Sequence, residues 1–212
     1  MSGVHIAPPE LQPASFEFTS ENMALAKKHI AKYPEGRQQS AVMPLLDIAQ
    51  RQHNNWVPQA AIRYIADLLG MPAIRVLEVA SFYTMYNLAP VGTHFVQVCT
   101  TTPCWLRGSD KVLSACKKHL GVGPGETTPD GKFTVIEVEC LGACVNAPML
   151  QLGDDFYEDL DEESTGKILE ALKRGETPKP GPQNGRLSSE PQGGATTLTT
   201  FNPAASAGGN DD

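Results

Sequence analysis

The 212-residue chain has no uninterrupted apolar run near the ~18 residues that a membrane-spanning helix needs, so no direct membrane insertion is expected. Its first twenty residues carry no Lys or Arg, and so lack the charged start of a secretory signal and the arginines of an organelle transit peptide. A cytoplasmic protein is expected. Basic residues are in deficit: 17 Lys and Arg stand against 24 Asp and Glu, a formal net charge of −7. A nucleic-acid binder needs a basic face, so no nucleic-acid partner is expected. No G-x-G-x-x-G loop occurs, and GVGPG at 121–125 lacks that form. There is no C-x-x-C pair either, which removes the usual motif of dithiol oxidoreductases.

Cysteine is not scarce. Four of the five form two short pairs, Cys99 and Cys104 in VCTTTPC and Cys140 and Cys144 in CLGAC, with 35 residues between the pairs. In a chain without a disulfide framework such pairs indicate a metal or redox site in a reducing compartment. The C-x4-C and C-x3-C spacings favour a [2Fe-2S] cluster, although structural zinc sites also draw on C-x2-4-C pairs. A Rieske centre would need histidine ligands, and no histidine is near either pair in that pattern. His5, His29, His53 and His119 read as surface or packing residues. Cys116 shares a helical stripe with Val112, Leu113 and Leu120, so it reads as core.

Hydrophobic periodicity divides the chain. After a flexible arm (1–18), four apolar stripes predict a helical bundle over 19–90. The first runs from about Glu21 to Tyr33, with Thr19, Ser20 and Asn22 as candidate caps. Pro58 is expected to start the third helix as its first residue, Gly70 to end it, and Pro72 to open the fourth. Phe82-Tyr83-Thr84-Met85-Tyr86 suits either core packing or partner contact. From 91 to 175 the order is strand (His94–Val98), helix (Pro103 to Leu120), strand (Phe133–Glu139), hairpin and helix (Asp161 to Lys173), an α/β pattern of thioredoxin-like type. Residues 176–212, rich in Pro, Gly, Ser and Thr, are expected to form a disordered tail. Asp154, Asp155, Glu158, Asp159, Asp161, Glu162 and Glu163 form an acidic stretch. It reads as a solvated hairpin and helix start, and alternatively as a docking surface or a field acting on a nearby redox centre.

Topology explains why the pairs should meet. A strand–helix–strand crossover makes its two strands parallel, so both end at one sheet edge. Cys99 ends the first strand and Cys140 follows the second, while Cys104 falls in the first turn of the crossover helix. Gly142 permits close backbone approach, and Thr100-Thr101-Thr102 offers hydroxyl and N–H groups to sulfur.

VQVCTTTPCWLRGS and VECLGACVNAPM resemble the paired motifs of thioredoxin-like [2Fe-2S] ferredoxins. More closely, roughly residues 15–175 resemble the small iron–sulfur subunit of the NADH-oxidising module of bacterial respiratory NADH:quinone oxidoreductase. The fold class thus expected is α/β, an N-terminal helical bundle followed by a thioredoxin-like [2Fe-2S] ferredoxin domain. The resemblance implies that Cys99, Cys104, Cys140 and Cys144 are the four cluster ligands. It further implies an electron-transfer subunit of a proton-translocating enzyme, with no substrate site of its own. Its cluster would exchange single electrons with the FMN of a flavin- and NADH-binding partner, and FMN and NAD would reside on that partner only. Other subunits of the peripheral arm would complete the assembly at the cytoplasmic side of the inner membrane. The alternative is a free thioredoxin-like ferredoxin, or the equivalent subunit of another NAD-linked dehydrogenase or hydrogenase.

Overall fold

A computed structural model describes residues 5–191 together with 193, 194, 196, 197, 199 and 200. The chain forms two compact units. The first comprises the residues up to Phe95 with Thr127–Thr134, and the second Val96–Glu126 with the residues from Val135 onward.

Four helices build the first unit: α1 (Ser20–Ile30), α2 (Val42–Gln52), α3 (Gln59–Leu69) and α4 (Ala73–Phe82). Thr19 caps α1, its hydroxyl accepting from the Asn22 N–H at 3.2 Å. Pro58 stands one position earlier than expected, as the N-cap of α3 with an extended ψ of 158°. Proline offers no side-chain acceptor there, and Gln12 supplies one: its side-chain oxygen accepts from the Gln59 N–H at 2.9 Å. Pro72 is likewise the N-cap of α4. Gly70 ends α3 at φ +61°, a left-handed conformation that glycine adopts without steric cost. The apolar stripes meet in one core that includes Leu45, Leu46, Val57, Ile65 and Val76. Each such side chain, fully buried, contributes about 1.5–3 kcal/mol relative to exposure.

The expected flexible arm is attached over its described part, residues 5–18. The Ala7 N–H donates to the Leu88 carbonyl at 2.9 Å, and the Phe16 and Phe18 rings meet Tyr64 edge-on at 5.8 and 5.4 Å. Aromatic burial and backbone pairing hold it. Residues 1–4 lie outside the described residues.

The remaining elements are β1 (His94–Cys99), α5 (Thr102–Leu106), α6 (Ser109–Leu120), β2 (Glu126–Thr127), β3 (Phe133–Val138), β4 (Leu150–Leu152), β5 (Asp155–Glu158), α7 (Glu162–Lys173) and β6 (Gly181–Pro182). The mixed sheet has the order β2-β3-β1-β4-β5-β6. The His94 N–H donates to Lys132 O at 2.7 Å and the Thr100 N–H to Val138 O at 3.5 Å. Both bonds span the same sequence offset, the signature of parallel strands. On the other side of β1, β4 runs antiparallel, with Val96 opposite Leu152 and Val98 opposite Leu150.

Two expectations need correction. The crossover helix is not continuous from Pro103 to Leu120: Gly108, at φ +98°, separates α5 from α6. The tail is ordered as far as it is described contiguously. Tyr157 on β5 lies opposite Gly181 on β6, the Gln183 N–H donates to Glu158 O at 2.9 Å, and the Tyr157 hydroxyl donates to Pro178 O at 3.1 Å. Backbone pairing to an exposed sheet edge supplies what apolar content does not. The later tail residues 192, 195, 198 and 201–212 lie outside the described residues.

Candidate metal centre

The parallel β1–β3 pair places the cysteine loops as the topology requires. Cys99 is the last residue of β1, and its N–H donates to Met149 O at 3.2 Å. Cys104 lies in α5, whose N-cap is Thr101. Cys140 follows β3, Gly142 turns the chain at φ +88°, and Cys144 opens a 3-10 turn over Cys144–Asn146. A side chain at Gly142 would be strained at that φ.

All five cysteines are free thiols. Cys99 and Cys104 are buried against Ala147 and Met149, with Leu141, Ala143 and Phe156 partly covering them. Cys140 and Cys144 are exposed. The Cys140 and Cys144 sulfurs are 3.4 Å apart, the Gly142 N–H donates to Cys140 Sγ at 3.4 Å, and Thr101 Oγ1 is 3.4 Å from Cys99 Sγ.

Each pair contains one thiol held low and one held high. Burial pushes Cys99 up, but hydrogen bonds from the Thr101 side chain and backbone, with Cys104 and the Leu141 backbone, bring it below the ordinary thiol range. Cys104 is pushed up to about 12 by burial and by its neighbour Cys99. The Gly142 N–H, then Cys144, lowers Cys140. Cys144 is raised by its bond to Cys140, by burial and by the charges of Cys140 and Cys99. The two pairs also act on each other: the Thr101 hydroxyl helps lower Cys140 as well as Cys99, and the Cys144 charge helps raise Cys104. Two neighbouring thiolates repel, and a cation that both coordinate removes the penalty while releasing the proton.

Among the described residues, no three His, Cys, Asp or Glu side chains are grouped as ligands of a single metal ion. The sulfurs form two pairs, and two thiolates on each of two irons is the ligand set of a [2Fe-2S] cluster. The donor set therefore fits that group. Cys116 lies on the buried face of α6, its thiol raised to about 12 by burial. Asp159 was singled out in the sequence only as part of the acidic stretch, and Asn146 and Arg186, which meet it at the Cys144 loop, were not. Arg186 Nη2 donates to Val145 O at 3.0 Å, and Asn146 Nδ2 donates to Ser188 O at 2.8 Å. The N-G-R turn at 184–186 was the available signal.

The family described as thioredoxin-like [2Fe-2S] ferredoxin matches residues 26–173. The chain is 53% identical over 183 residues to mitochondrial NADH dehydrogenase (ubiquinone) flavoprotein 2 of Dictyostelium discoideum, covering 86% of this chain and 74% of that protein. It is 56% identical over 159 residues to a subunit of the NADH-quinone oxidoreductase of Rickettsia conorii, covering 75% of this chain and 95% of that protein. Among solved structures, it resembles an NAD+-reducing [NiFe]-hydrogenase in the air-oxidized state, with a TM-score of 0.54 and 18% identity over 61% of this chain and 23% of that chain. At that identity the likeness concerns the fold alone.

Proposed function

Because the chain belongs to the thioredoxin-like [2Fe-2S] ferredoxin family, we propose that it is the electron-transfer subunit of an NADH:quinone oxidoreductase, with Cys99, Cys104, Cys140 and Cys144 holding one [2Fe-2S] cluster. The observation that carries this reading is the pairing of four thiols by the ends of two parallel strands, with the Thr101 hydroxyl 3.4 Å from Cys99 Sγ and the Gly142 N–H donating to Cys140 Sγ. When bound, such a cluster takes up and releases one electron at a time. The chain's own residues bind and tune: Met149 and Phe156 exclude water on the Cys99 side, while Thr101 and Gly142 stabilise negative charge on sulfur.

The partner we assign is the flavin- and NADH-binding subunit, which holds FMN and NAD, with further peripheral-arm subunits around it. Phe82, Tyr83 and Met85 are exposed apolar side chains at the end of the first unit's helices, and this supports subunit contact there. Tyr86 from the same segment is core instead, its hydroxyl donating to Met43 O at 2.9 Å. Among the described residues no helix is long and apolar enough to cross a membrane. Attachment to the cytoplasmic side of the inner membrane is therefore assigned to the assembly.

Co-purification tests the assignment. The tagged chain is expected to retain a flavin-containing subunit, and NADH is expected to reduce the pair with the flavin bleaching first. A cluster-loaded chain that ignores such a subunit would favour a free ferredoxin.

A further inference from the structure

The C-terminal segment that composition alone marked as disordered grips the loop that carries Cys144. Arg186 reaches both oxygens of Asp159, with Nε to Oδ2 at 3.0 Å, and the two side chains are only 12% and 4% exposed. The same guanidinium donates to Val145 O at 3.0 Å and to Glu190 O at 3.1 Å. Asn146, 1% exposed, donates to Ser188 O at 2.8 Å and to Asp159 Oδ2 at 3.3 Å, while the Asp159 N–H donates to Asn146 O at 2.7 Å. Asp159 holds a positive φ of +51° to do so.

The flanks of the turn are seated in the apolar cluster, Ala147 within it and Ala143 packed against it, whereas between them Cys144 is exposed and Val145 is 68% exposed. The turn's own backbone bonds are the Asn146 N–H to Ala143 O at 3.0 Å and the Ala147 N–H to Cys144 O at 3.4 Å. Charge-assisted bonds from one planar guanidinium are stronger and more directional than these. We propose that residues 178–190 form a brace that positions the Cys144 thiolate, with Arg186 as its positioning residue; the brace rests on the assignment of Cys144 as a cluster ligand. It links the chain beyond α7 to the exposed half of the metal centre.

The test uses the full cluster-loaded chain and compares Arg186→Gln, Arg186→Lys, a chain ending at Glu176, and the surface control Arg174→Gln, whose residue pairs with Glu176 in solvent. The readouts are the rate of iron and acid-labile sulfide loss to a chelator, the paramagnetic signal of the reduced cluster, and amide hydrogen exchange in the cluster-free chain. Arg186→Gln and the shortened chain are expected to lose iron at least about tenfold faster, the range seen when outer-shell partners of metal ligands are removed. Their g-values shift, and the Asn146, Ala147 and Asp159 amides exchange faster while those of β1 and α6 do not. Arg186→Lys keeps the charge without the planar fork and falls between, and Arg174→Gln matches the wild type. Unchanged iron loss and g-values in Arg186→Gln or the shortened chain overturn the brace. If Arg186→Gln unfolds globally, Arg186→Lys and the shortened chain decide by the same criteria. A wild-type chain that binds no cluster refutes the functional reading instead, and the exchange rates at Asn146 and Asp159 still decide the brace.

Discussion

Within each cysteine pair, one thiol is poised to ionise and the other resists. Cys99 and Cys140 lie below the ordinary range, Cys104 and Cys144 above it. With a cluster held as proposed, the second thiolate of each pair would form as iron shares its charge, and the four proposed ligands would act together. Alanine at Cys99, Cys104, Cys140 or Cys144 is expected to abolish a normal cluster, read as loss of visible absorbance and of acid-labile sulfide. Cys116→Ala is expected to keep the cluster, because that thiol is neutral and buried in α6. Its cost is a small cavity, and with it a modest drop in melting temperature. A normal cluster in any of the four, or its loss in Cys116→Ala alone, contradicts the ligand set.

At the scale of elements, α7 shows how directly sequence becomes structure. Asp161 accepts from the Ser164 N–H at 2.7 Å and Ser164 Oγ accepts from the Asp161 N–H at 2.9 Å, a reciprocal capping box. Those Ser164 bonds, backbone first, hold the Asp161 carboxyl below the usual carboxylate range. A folded pKa below the unfolded one gives stability that is fully present above the unfolded value of about 3.9 and fades as pH falls through the folded pKa. Asp161→Ala is expected to cost about 0.5–2 kcal/mol at pH 7, measured by urea unfolding of the cluster-free chain, with a smaller cost near pH 3. Asp161→Asn retains most of the cap and loses the pH dependence. An Asp161→Ala penalty that is equal at both pH values contradicts this account.

Elements with a strong local period, α1 to α4, β1, β3 and α7, were legible in the sequence to within a few residues. So was the edge at which the cysteines gather, because strand parallelism follows from the crossover. The break at Gly108 was not, since Val112, Cys116 and Leu120 keep one helical phase and mask the interruption. The arm and the brace were missed for a shared reason. Ala7, Gln12, Gly181 and Arg186 are ordered through bonds to distant backbone or to single side chains, and such bonds leave no period behind. The close crossing of α6 and α7 was equally silent: a Cβ on Gly166 would stand 2.6 Å from His119 Nε2, and only the folded pair reveals it.

For the whole molecule, the net charge of −7 is partly neutralised within the acidic stretch of residues 154–163. Glu162 pairs with Lys118 at 2.9 Å, Glu163 with Lys167 at 2.6 Å, and Asp159 is buried with Arg186. The acids serve the helix start and the brace, and the exposed pairs contribute little to stability. The subunit contact proposed above rests instead on exposed apolar groups such as Phe82 and Met85. A binuclear cluster on two thiol pairs is decided by iron and acid-labile sulfide analysis of anaerobically purified wild-type chain, with the paramagnetic spectrum after one-electron reduction. Iron and sulfide are expected in equal amounts, about two of each per chain, with a rhombic signal from the reduced state. Zinc without sulfide, or no bound metal in protein kept anaerobic throughout, would contradict it.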